Sequence, residues 1–205
     1  MNKITITSSA RFIILVCSPL IVPSISFLLL MTIIPGVENY SFRLKTVIMG
    51  IVVLSSCLIP LFYLLLSDLN HKILKQERNK SSGLLFKLFS CISIFLGAQF
   101  LARIPVLGDF RIILLGLCLI LIISILVSFK WNMSEHLLVL GSILGAVISL
   151  NFRYGVNILW MAVGVCIISG LVGSSLVYTQ KNTPAGVYSG FLTGACIMFS
   201  ILLLF

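Results

Sequence analysis

The sequence predicts an all-α fold, a polytopic transmembrane bundle of six or seven helices. Of its 205 residues 60% are apolar and 9% charged, whereas soluble domains run near half apolar and about a quarter charged. The apolar residues gather into seven runs, most of them near the roughly 20 residues that a helix needs to cross a bilayer core. The connections between runs are brief, with one polar exception, so residues 1–205 read as a single integral-membrane domain with no room for a folded extramembrane one. A water-soluble domain is excluded.

The first run, at about 12–34, follows Lys3 and Arg11 in the manner of a signal peptide. It exceeds the roughly 7–15 residues of a signal core and has no A-x-A site, so it is expected to stay as the first span. The second run, 46–67, contains Pro60, and the first contains Pro19 and Pro23. Prolines inside spans imply kinks whose freed carbonyls must be satisfied by protein or water. A polar stretch from Asp68 to Gly83 follows, DLNHKILKQERNKSSG, expected to form a basic interfacial loop. Further runs fall at 84–102, 110–129, 136–150, 156–178 and 185–205, and the short fifth makes the count six or seven. Gly141 and Gly145, and Gly186, Gly190 and Gly194, recur every four residues, the spacing that lets membrane helices approach closely.

Seven spans put the N-terminus on the same side as the loops after the second, fourth and sixth helices. That face holds Lys3, Arg11, Lys72, Lys75, Arg78, Lys80, Lys87, Lys130 and Lys181, against Arg43, Lys45, Arg103, Arg111 and Arg153 opposite. The positive-inside rule directs it to the cytoplasm. The net charge of +9 would suggest nucleic acid in a soluble protein. In a membrane chain it reads as contact with anionic headgroups, about 1 kcal/mol per cation, and no nucleic-acid partner is expected. The six cysteines sit singly in apolar runs without CxxC pairs or neighbouring histidines, which suggests packing residues and no metal site.

Three polar segments return to the first face: the basic loop with His71, Lys72, Lys75 and Arg78, then WNMSEH (Trp131–His136), then TQKNTPAG (Thr179–Gly186). Asn132 or Ser134 can cap the fifth helix, and Asn182 or Thr183 before Pro184 fits an N-cap with proline at the first helical position. Helix N-termini suit anions because their N–H groups are free, although every helix needs a cap whether or not it binds one.

The order of a basic loop, SEH opening one helix and GSSLVYTQKNTPAGVYSG opening the last resembles the type 2 phosphatidic acid phosphatase superfamily. The narrower likeness is to its compact bacterial integral-membrane branch. The early SPLIVPSISFLLL and CLIPLFYLLLSDL segments extend it over nearly the whole chain, and NTPAGVYSGFLTG is its most specific part. The resemblance implies the fold of that family's membrane core, a bacterial inner membrane, no cofactor, and a pocket for a phospholipid or polyprenyl phosphate. It implies His136 as general acid, with Ser134 and Glu135 completing that motif. It also implies Lys72, Arg78, Ser134, Asn182 and Thr183 as phosphate-binding residues.

The sequence departs from the family pattern at several positions. Asn79 stands where proline is usual and Lys72 is misspaced. Leu176 occupies the place of the phosphate-binding arginine, and Asn182 that of the nucleophilic histidine. An amide nitrogen, its lone pair delocalised into the carbonyl, cannot attack phosphorus, though it can donate a hydrogen bond. Loss of the arginine removes charge stabilisation from the transition state. The expectation is a catalytically impaired lipid-phosphate protein. The alternatives are a noncatalytic subunit holding a membrane partner or a second copy, and a lipid transporter. Many bacterial members of the superfamily work on the outer side of the membrane, against the charge count. Phosphate-binding cations raise that count on the active face whichever way it points.

Overall fold

The computed structural model describes residues 22–34, 37, 40–62, 80–102, 108–128, 133–155, 159–180 and 182–204. Among them are seven helices and no strand: α1 (Val22–Ile33), α2 (Phe42–Phe62), α3 (Lys80–Leu101), α4 (Gly108–Ser128), α5 (Glu135–Tyr154), α6 (Leu159–Tyr178) and α7 (Pro184–Leu204). Five of them, α2 and α4 to α7, are long and apolar enough to cross a membrane. Each expected run overlaps one of these helices, most of which extend past the bounds read from hydropathy. Residues 12–21 of the first run and 68–79 of the basic loop, with Lys72 and Arg78, lie outside the described residues. Helix α3 begins at Lys80, inside the stretch read as loop, because a helix bonds its own backbone and can run past the apolar boundary.

Pro60 acts on α2 in a specific way. Proline has no N–H and its ring clashes with the carbonyl four residues back, and α2 widens into a π-helical turn at Leu54–Leu58, just before it. In this register Ile59 donates to the Leu54 carbonyl. The next bond, from residue 60 to the Ser55 carbonyl, cannot form. Ser93 of α3 supplies the missing donor, its hydroxyl 2.6 Å from the Ser55 carbonyl oxygen. Gly97, one turn on, admits the approach, since a Cβ there would lie 2.7 Å from Ser55 Oγ. Ser56 donates to Val52 O at 2.7 Å and shares a 2.9 Å bond with Ser24 of α1. Ser93→Ala should therefore destabilise the protein by about 1–3 kcal/mol, the cost of an orphaned buried carbonyl. Unfolding in detergent beside the buried, self-bonded control Ser169→Ala would measure it.

Helix α5 is the centre of the bundle. From Leu137 to Leu150 every residue except Ile148 is buried, and α1, α4, α6 and α7 pack around it. This explains the short fifth run. A helix shielded from lipid can use Gly, Ser and Ala and extend through the polar Asn151–Tyr154 turn, ending at Gly155 in the left-handed conformation. The peripheral helices instead present Leu28, Leu96, Phe100, Ile122, Ile167 and Leu192 outward.

The glycine rows define the α5–α7 seam. The helices run parallel, with Gly190 against Ser134 and Gly194 against Leu138, while Gly141 and Gly145 face Phe191 and Ala195. In each case the nearest atom to an added Cβ is a backbone carbonyl oxygen of the other helix. The glycine Cα–H groups thus point at carbonyls in both directions, contacts worth about 0.5–1 kcal/mol each.

At the far end of the bundle from this parallel start, Asp109 in the first turn of α4 accepts a hydrogen bond from the Tyr154 hydroxyl and pairs with Arg153 at 3.5 Å. An acid at a helix N-terminus and a base at a C-terminus both suit the helix dipoles. Burial, and then the charge of Asp109, push the nearby Tyr40 phenol above its ordinary pKa. Asp109→Asn keeps an acceptor for Tyr154 but removes the charge facing Arg153, and should cost about 1 kcal/mol. Its effect should shrink in high salt, which thermal unfolding at two ionic strengths would test.

Candidate functional site

Two of the three polar segments meet. The loop between α6 and α7 turns through Gln180 in the left-handed region, φ 53°, a conformation that costs a non-glycine residue roughly 1–2 kcal/mol. It then delivers Thr183 to the N-cap of α7, where Thr183 Oγ1 accepts from the Gly186 N–H at 3.2 Å. Pro184 stands at the first helical position, where its missing N–H and fixed φ cost nothing. Ser134 takes the N-cap position of α5 with extended backbone and without a side-chain capping bond. Its N–H instead donates to the Gly186 carbonyl at 3.1 Å. Gly186 therefore ties both helix starts together, bonding Thr183 through its N–H and Ser134 through its carbonyl.

This junction orders the expected site residues. Ser134 is 1% exposed. His136, in the first turn of α5, and Asn182, just before the α7 cap, are half-buried, while Thr183 is exposed. Two parallel helices thus present their N-termini, each with partial positive charge, at one end of the bundle. Leu176 lies in α6, two residues before its end, and is 1% exposed within the core.

One participant is new. Lys87, in the first half of α3, reaches Glu135 at the start of α5, Nζ to Oε1 2.6 Å. The lysine is 14% exposed and the glutamate 39%. The pair brings α3 to the same junction and sets a carboxylate beside His136. The sequence held one signal for it, since Lys87 is an ionisable residue inside an apolar run, where such residues face protein and pair.

Beside the junction, an apolar groove of about 660 Å³ runs between α6 and α7, from Tyr178, Pro184 and Tyr188 at the site end to Cys166 further along. Leu137, next to His136, lines it as well. Thirteen residues of α6 span roughly 18 Å. Among the described residues no three His, Cys, Asp or Glu side chains gather as metal ligands.

The fold and this junction define a helical integral membrane protein with a polar site at one end of its bundle. No protein-family model, curated protein or solved structure matches the chain.

Proposed function

We propose that the chain is a phosphatidic acid phosphatase-like membrane protein of the bacterial inner membrane that holds a lipid phosphate and has lost most or all of its hydrolytic power. The observation that supports this reading is the junction at Gly186, where the starts of α5 and α7 are bonded together next to His136 and Asn182. Paired helix N-termini favour an anion, Asn182 and Thr183 add donors, and Lys72 and Arg78 belong to the loop that the resemblance assigns to phosphate. The adjoining groove has the apolar lining and length for a hydrocarbon chain of the same lipid.

The impairment follows from the chemistry present. Asn182 has no nucleophilic nitrogen. Leu176 offers no charge where the attacking step needs one, and Glu135 repels an incoming phosphate while neutralising Lys87. His136 can supply a proton, which assists a leaving group but does not replace the nucleophile.

The test is binding and turnover with purified protein in nanodiscs containing phosphatidic acid or a polyprenyl phosphate. Saturable binding of the lipid phosphate over its dephosphorylated counterpart is expected, with phosphate release near background. Glu135→Gln should tighten binding several-fold, because it removes a negative charge from the mouth and frees Lys87. Turnover lost on His136→Ala would overturn the impaired assignment. Equal binding of both lipids by folded protein would remove the headgroup site, leaving a partner-holding subunit as the better reading.

A further inference from the structure

We propose that Cys91 and Cys118 form a redox-convertible pair, oxidised by a lipid-soluble quinone to a disulfide that locks α3 to α4. The two side chains are buried, come from different helices, and lie with Sγ atoms 3.1 Å apart. The approach is reciprocal: Cys91 Sγ is 3.8 Å from the Cys118 carbonyl and Cys118 Sγ 3.7 Å from the Cys91 carbonyl. Each sulfur thus sits against the partner's backbone, in two helices that pack against each other. A disulfide needs about 2.05 Å between sulfurs, so closure asks for about 1 Å of movement, within the reach of side-chain torsions and a small helix shift. Holding reactants at contact distance removes most of the entropic barrier to joining them.

The surroundings choose the oxidant. Leu88 and Ile92, which flank Cys91 on α3, are exposed on the apolar outside of the bundle, so the pair lies just behind a lipid-facing surface. Soluble disulfides react through thiolates, and burying a charge in apolar surroundings is costly. The same cost keeps a charged tripeptide disulfide out of the hydrocarbon that surrounds the pair. A fully substituted quinone dissolves in the bilayer and accepts two hydrogens. Both S–H bonds break, one S–S bond forms, and the two protons and two electrons convert the quinone to its hydroquinone. The lock has a local consequence. Cys91 lies one turn beyond Lys87 on the same face of α3, so the disulfide also fixes the helix that carries the Lys87–Glu135 pair.

Protein in nanodiscs would be exposed to decylubiquinone, or to oxidised glutathione, then denatured in N-ethylmaleimide. Peptide mapping without reductant and a parallel melting curve would follow. With the quinone, wild-type protein should carry two fewer adducts, yield one cross-linked peptide pair joining Cys91 to Cys118, and melt higher until dithiothreitol is added. Oxidised glutathione should leave both thiols free. Cys91→Ser should retain every remaining adduct. Full alkylation of Cys91 and Cys118 after quinone exposure, a cross-link through Cys17, Cys57, Cys166 or Cys196 instead, or equal oxidation by glutathione disulfide would each overturn the proposal. Mapping on the wild type decides it even where the serine variant folds poorly.

Discussion

Gly194→Val is expected to cost more than about 3 kcal/mol of stability, the upper range for overpacked sites, and to abolish ligand binding with it. The added Cβ would overlap the Leu138 carbonyl oxygen, with the Leu138 carbonyl carbon next nearest and Ser142 N 3.0 Å away. All three are backbone atoms of the central helix, so no rotamer change relieves the clash, and α7 must move away from α5. That movement breaks the Cα–H···O row and the bond from Ser134 N–H to the Gly186 carbonyl, since the same seam carries both. Gly164 of α6 is the control, because a Cβ there meets nothing within 4 Å. Gly164→Ala should be neutral or gain up to about 1 kcal/mol from helix propensity. Unfolding in detergent across Gly164→Ala, Gly194→Ala and Gly194→Val would show a steep series at 194 alone. Equal stability of the two alanine variants would refute the backbone-contact account of the seam.

The same seam illustrates what the sequence made legible. Four-residue glycine spacing announces close helix packing, and two intervening spans bring the start of the fifth helix to the face of the seventh. Pro184 after Thr183 marks a helix start in local chemistry, and α7 begins there. What stayed hidden depends on partners distant in sequence. Nothing local to Glu135 names Lys87 as its partner, and nothing near Ser93 announces that it will donate to Ser55. Pro60 signalled a backbone fault without saying that a π turn would absorb it. Hydropathy also misplaced ends. Helix α2 starts at Phe42, capped by Ser41 Oγ at 3.3 Å from Leu44 N, because Arg43 and Lys45 can run their stems along a helix and keep their charges in water. The run read at 136–150 stops short of Tyr154 because polar residues there are held by Asp109, a partner on another helix.

Leu176→Arg is the second large effect, and it tests the lost-arginine idea directly. The resemblance puts a phosphate-binding cation at this position, yet Leu176 is 1% exposed in the core. A guanidinium in that space without an anion should destabilise the protein by about 3–5 kcal/mol, the usual penalty for an unpaired buried charge. Leu176 stands two residues from the end of α6, so the long arginine stem can direct its charge toward the junction of α5 and α7. A lipid phosphate held there would pair with it. The variant should therefore melt well below wild type in neutral lipid and recover more than wild type does when phosphatidic acid is added, by the linkage between binding and stability. Asn182→His, at a half-buried position outside the core, should be nearly neutral in stability and inactive alone, since the nucleophile without the cation leaves the transition-state charge unbalanced. The two substitutions together, in the presence of lipid phosphate, should release phosphate above either single variant. Recovery of Leu176→Arg by neutral and phosphate lipids alike would mean that its charge finds no phosphate at the junction, and the headgroup reading of this end of the bundle would fall with it.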